Sequence, residues 1–233
     1  MNARRIAAAA LAFAVAAGAA RADVPDDQLP MYGNFDRARD PALAAADKLF
    51  VNIIVARYGG RREGSQAIAA DGWRLLRGND PTSAIRLFNE AWIVDPDYYD
   101  AYWGFGAILL ARGRIEEAIL MLERANGFGD VDMRNRAPLL GDLANLYALK
   151  AFGLAPEAAD RRDYFARANA MFATATAADP ANPQPWIQWV LGLLYEARYA
   201  EAWEKVATAR GLGHELPEPV LAALRARRPE PAR

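Results

Sequence analysis

The chain has 233 residues, with 28 Lys and Arg against 29 Asp and Glu, 53% hydrophobic residues, one His and no Cys. That balance lacks the excess of cations on which affinity for nucleic acid or for anionic lipid rests. The missing Cys excludes disulfides, and with a single His it excludes the usual zinc spacings.

The chain begins with Arg4 and Arg5, continues through an apolar run from Ile6 to Ala17, and reaches Ala20-Arg21-Ala22. This is the order of a secretory signal peptide over 1–22, cut before Asp23. The run is shorter than the roughly 20 residues of a membrane span, and no Cys follows it to carry a lipid. The expectation is export to the periplasm or beyond, without stable membrane insertion. Losing the three leader arginines leaves 25 basic residues against 29 acidic ones, a mildly acidic chain. Residues 23–39, with Pro25, Pro30 and Gly33, read as an irregular arm, either laid back across the later segments or without fixed structure.

Asp40-Pro41 opens a helix and Gly59-Gly60 closes it. Its apolar stripe is Leu43, Ala46, Phe50, Ile53 and Ile54, so residues 40–64 are predicted to hold a helix packed on the next segment. Beyond Ser65 the chain repeats itself. Gly72 pairs with Gly106, Ala84 with Ala118, Phe88 with Leu122 and Ala91 with Ala125, each pair 34 residues apart. Two antiparallel helices approach closely only where small side chains face each other and bulky ones fill the groove alongside. Ala144, Tyr147, Ala168, Phe172, Ala175 and Pro180 carry the pattern again, with an insertion of 12 residues around GLAPEAADRRDY. Trp186, Leu193, Tyr199, Ala202, Val206 and Ala209 carry it once more, with Val190 at the small position. LPEPVLAALRARR then reads as a capping helix with a basic tail. Asp80-Pro81 is predicted to start a helix, Gly78 and Gly113 to stop helices, and Asp95-Pro96 and Asp179-Pro180 to end others. No stretch alternates long enough to argue for a strand.

The set Gly72, Ala84, Phe88, Ala91, Pro96 resembles the tetratricopeptide repeat. The resemblance covers roughly 65–216 and implies an all-α, right-handed superhelical solenoid of about four helix pairs. The repeats fall at 65–98, 99–132, 137–182 and 183–216, with an N-terminal helix before them and a capping helix and tail over 217–233. Gly72-Trp73 followed by FNEAW, DP and AYWGFG is also similar to a group of poorly characterised bacterial envelope proteins.

Residues able to do chemistry are scarce. Ser65 and Ser83 fall at predicted helix starts, where a hydroxyl caps backbone N–H groups. His214 stands alone in a turn, with no nucleophile–base set around it. Asp130 and Asp132 lack the glycine and the closing glutamate of a calcium loop. RYGGRREG lacks the strand-to-helix context and the GK[ST] ending of a phosphate loop. Glu116, Glu117, Glu157 and Asp160 read as solvated charges. No cofactor and no metal is expected.

In tetratricopeptide repeats the first helices line a concave surface. Mapping its positions onto this chain selects Gln66, Trp73, Arg77, Asp100, Trp103, Asn145, Gln184 and Tyr195, and the aromatic run adds Tyr99. Trp and Arg are typical interface anchors, although packing between repeats would also explain Trp73 and Trp103. Some members grip a chaperone's C-terminal carboxylate with Lys, Asn and Arg; here only Asn145 fits, which argues against that clamp. The resemblance implies a non-enzymatic exported scaffold that binds a protein or peptide. Two alternatives stand beside it: an envelope glycan-binding protein or enzyme using Trp73, Trp103 and Tyr102 as stacking platforms, or a structural component that assembles with copies of itself.

Overall fold

A computed structural model describes residues 39–129 and 131–231. The expected leader and all of the arm except Arg39 lie outside them, as does Asp130. Every regular element among the described residues is an α-helix. The chain divides into two compact units, one ending at Ile108 and the other beginning at Leu109.

The first unit holds α1 (Pro41–Tyr58), α2 (Arg61–Arg77), α3 (Pro81–Val94) and most of α4 (Tyr99–Ala111). Asp40 starts α1 as expected: its carboxylate accepts from the N–H groups of Ala42 at 2.9 Å and Leu43 at 3.2 Å. Gly59 ends it at φ 90°, a conformation that glycine adopts without steric cost. Phe50 and Ile54 are its buried residues. Helix α1 can lie against α2 because Gly64 is small, since a Cβ there would fall 2.3 Å from Ile54 Cγ2. Ser65 departs from the expected cap. It sits inside α2, fully buried, and its hydroxyl donates to the Ala91 carbonyl of α3 at 2.9 Å. Asp80 caps α3, accepting from the Ser83 N–H at 3.0 Å, with Pro81 in the first turn.

Between α3 and α4 the seam is aromatic. Phe88 is fully buried, with its ring against the positions where Gly72 and Gly104 lack side chains. Trp73 and Phe105 meet it edge-on, with ring centroids at 5.2 and 6.4 Å. Arg62 closes the rim, paired with Asp95 at 2.9 Å and lying over the Tyr98 ring at 4.9 Å.

The second unit contains the end of α4, then α5 (Ile115–Gly127), α6 (Met133–Gly153), α7 (Arg161–Ala178), α8 (Pro183–Tyr195), α9 (Tyr199–Gly211) and α10 (Glu218–Arg225). The inserted residues are spread over three places: α6 grows to 21 residues, α7 to 18, and residues 154–160 join them. Arg161 ties that connection down, with Nε donating to the Ala151 carbonyl at 3.1 Å. Asp132, weighed above as a calcium ligand, caps α6 by accepting from the Asn135 N–H at 2.9 Å. In the last repeat Gly192 makes the close approach, since a Cβ there would lie 3.1 Å from Phe172 Cε2. Val190 at the expected small position is fully buried. Leu221 and Leu224 of α10 are buried in one cluster with Trp186, Val190 and Leu193 of α8 and Trp203 and Val206 of α9. The basic tail is held against α9 as well: Trp203 Nε1 donates to the Arg228 carbonyl at 3.0 Å, and Arg210 pairs with Glu230 at 2.5 Å.

The turns after three of the first helices, α2, α4 and α8, share one geometry. The N–H of Asp80 reaches the Leu75 carbonyl at 3.0 Å, that of Arg114 the Leu109 carbonyl at 2.9 Å, and that of Arg198 the Leu193 carbonyl at 2.9 Å. Each needs a left-handed residue just before, and these are Asn79 at φ 63°, Gly113 at φ 72° and Ala197 at φ 61°. Gly78 caps α2 as the expected stop, with an ordinary φ of −78°, and the left-handed residue is Asn79 beyond it. Ala197 is therefore the strained member. Replacing Ala197 with Gly should raise the unfolding free energy by about 0.5–1 kcal/mol, the Cβ penalty less the extra unfolded-state entropy of glycine. Urea unfolding checks this, and a loss of stability would refute it.

Candidate interaction surface

Gln66, Trp73 and Arg77 are spaced seven and four residues apart on α2, which puts them on one helix face. Gln66 and Arg77 are exposed and Trp73 is half-buried. The Trp73 indole is held in place: Nε1 donates to Asp100 Oδ1 of α4 at 2.7 Å, and the ring meets Trp103 edge-on at 5.2 Å. Asp100 is 7% exposed and Trp103 is 8% exposed, so both act beneath this face rather than on it. Tyr99, at 2% exposed, leaves the candidate set, because its ring is spent against Tyr98 at 5.0 Å. Tyr102, named above as a sugar platform, is only 1% exposed. Its hydroxyl accepts from Trp92 Nε1 at 2.8 Å and donates to the Pro96 carbonyl at 3.0 Å. Periodicity alone could not sort these rings, because every position of this aromatic run satisfies some apolar face.

Glu90 of α3 is half-buried, and among the described residues no hydrogen bond or ion pair to it is found. Burial pushes its carboxyl up to about 7.

In the second unit Asn145 is half-buried on α6, while on α8 Gln184 is exposed and Tyr195 half-buried. The structure adds three neighbours that sequence reasoning missed. Phe152 of α6 is 56% exposed and lies against Tyr195, with ring centroids at 4.8 Å. Gln188 of α8, 7% exposed, donates through Nε2 to Asp142 Oδ1 of α6 at 2.8 Å. Asp142 is three residues before Asn145 and Gln188 four after Gln184, so a search for polar residues along the same faces would have found them. Gly141 makes room for that bridge, since a Cβ there would lie 2.7 Å from Gln188 Oε1.

Several other polar groups have structural partners. The Tyr147 hydroxyl donates to Glu123 at 2.5 Å; burial, then that carboxylate, pushes its pKa up to about 12. Lys150 pairs with Glu116, which lowers the carboxyl and raises the amine. Arg114 pairs with Glu117. A ring nitrogen of His214 lies 3.0 Å from the Pro180 carbonyl. Among the described residues no cluster of three or more His, Asp and Glu could hold a metal ion. No helix among them is long and apolar enough to cross a membrane.

Residues 75–132 match the family model for the tetratricopeptide repeat. Over that stretch the chain is similar to the tetratricopeptide repeat family. Two solved structures share the helical-repeat fold. One is TTC0263, a thermophilic tetratricopeptide-repeat protein of Thermus thermophilus, 16% identical, with a TM-score of 0.57 over 70% of this chain and 80% of that one. The other is PilF of Pseudomonas aeruginosa, 15% identical, with a TM-score of 0.54 over 84% of this chain and 80% of that one. At such identities the likeness is one of fold. No curated protein matches the chain in sequence. Tetratricopeptide repeats are typically protein-interaction scaffolds without catalytic activity.

Proposed function

We propose that this repeat chain is an exported, non-catalytic scaffold that holds a protein or peptide segment on the first-helix face of its repeats. One observation carries the reading: α2 presents Gln66, Trp73 and Arg77 on one face, with the tryptophan fixed by a carboxylate behind it. An indole already locked in place costs little side-chain entropy on binding, and an exposed guanidinium beside it adds directed hydrogen bonds. Export rests on the leader pattern of residues 1–22 alone. The glycan reading has lost two of its three platforms, because Tyr102 and Trp103 are buried.

The test pairs Gln66→Ala with Arg77→Glu, both at exposed positions where folding should be unaffected. Partners co-purified from envelope extract of the native cell should fall at least about tenfold, a loss of about 1.4 kcal/mol in binding. Undiminished recovery by a variant of unchanged Tm would remove this face from the function.

A further inference from the structure

Helix α1 spends only one of its stripes on packing against α2. A second stripe, Ala44, Asp47, Lys48, Val51, Asn52 and Val55, recurs at intervals of three and four and faces Trp92, Ile93 and Pro96 across an open groove of about 660 Å³. Neither wall belongs to the face that carries Gln66, Trp73 and Arg77. The far wall is set before anything binds: Trp92 donates to the Tyr102 hydroxyl, which donates to the carbonyl of Pro96, itself part of the lining. A groove of this volume takes several apolar side chains.

Its charge selects among apolar occupants. Lys48 and Arg61 line the groove and are exposed, and among the described residues neither has an ion-pair or hydrogen-bond partner. Asp47, the acidic residue of the lining, is already engaged. Two available cations beside an apolar floor favour carboxylates and repel cationic segments.

We propose that the α1–α3 groove is a second docking surface, taking a partner protein's amphipathic segment whose apolar side chains are flanked by carboxylates. The apolar side chains enter against Val51, Val55 and Ile93, and the carboxylates meet Lys48 and Arg61.

The probe is a fluorescein-labelled helical peptide with leucines one turn apart and glutamates flanking them, compared with a copy in which lysines replace the glutamates. By anisotropy the glutamate peptide should bind the full chain, more weakly as salt rises, and the lysine peptide should not. Lys48→Glu with Arg61→Glu should weaken the glutamate peptide at least about tenfold and admit the lysine peptide. Val55→Asp should also abolish binding, while Gln66→Ala with Arg77→Glu should leave it unchanged, which separates this surface from the α2 face. Equal binding of the two peptides, no binding of either, or indifference to the charge reversal would overturn the proposal. So would a photo-crosslinker at Val51 that joins the chain's own residues before Arg39, or a second copy, in preference to the peptide.

Discussion

Phe88→Ala should lower the unfolding free energy by about 3–5 kcal/mol, the range for deleting a fully buried aromatic ring. The ring is 0% exposed and is confined on several sides, by Trp73 and Phe105 edge-on and by the bare backbones of Gly72 and Gly104. Helices α2, α3 and α4 therefore share one side chain. Removing it leaves a cavity that neither neighbouring ring can fill without breaking its own contact. Gly104→Ala approaches the same site from the other direction: a Cβ there would lie 2.4 Å from Phe88 Cδ1, so the ring must shift, at a cost of about 1–3 kcal/mol. The double variant is the sharper measurement. With the ring gone, the methyl group added by Gly104→Ala enters vacated space, so the combined loss should fall short of the separate losses by about 1 kcal/mol or more. Urea denaturation of the four proteins decides it, and additive losses would mean that Phe88 and Gly104 do not share a site.

Glu90→Gln should stabilise the protein at pH 8 by about 2–3 kcal/mol and have almost no effect near pH 4. The native carboxyl is pushed up to about 7 by burial, against an ordinary value of 4.5. Below that ordinary value both folded and unfolded chains carry the proton, and Glu and neutral Gln are nearly equivalent. Between the two values the unfolded state has released its proton while the native state retains it, so wild-type stability falls as pH rises. Above about 7 the native state must hold an ionised, poorly solvated carboxylate, and the penalty is complete. Comparing the variant with the wild type at each pH cancels the other titrating groups. A difference that stays constant from pH 4 to pH 8 would show that Glu90 is solvated in the native state.

The repeat was legible because its cause is local. An offset of 34 residues recurs where helix pairs must approach through small residues, and Gly72, Ala84 and Ala91 mark those contacts in one dimension. Helix starts at Asp40 and Asp80 were legible for the same reason, since a cap and its N–H partners lie within three residues. Ser65 was misread because its partner, the Ala91 carbonyl, is 26 residues away. Gly78 was legible as the stop of α2, which ends at Arg77 with Gly78 as its cap, but that the left-handed position falls one residue later, on Asn79, was not.

The candidate surfaces were legible only in part. The face of α2 follows from helical spacing, so the sequence alone places Gln66, Trp73 and Arg77 together. The burial of Tyr99 and Trp103, the hold of Asp100 on Trp73 and the bridge from Gln188 to Asp142 could not. Each depends on which side chain of one helix meets which of another.

By itself, then, the amino-acid order determined an all-helical repeat, its period, most of its helix ends and a poverty of catalytic groups, because these depend on residues within a turn or a period of one another. Only the tertiary structure decided which aromatics are wall and which are surface, that Glu90 sits poorly solvated, and that α1 leaves a charged-rimmed groove against α3. Those outcomes turn on side chains brought together across tens of residues, where packing distances of a few tenths of an ångström separate contact from clash.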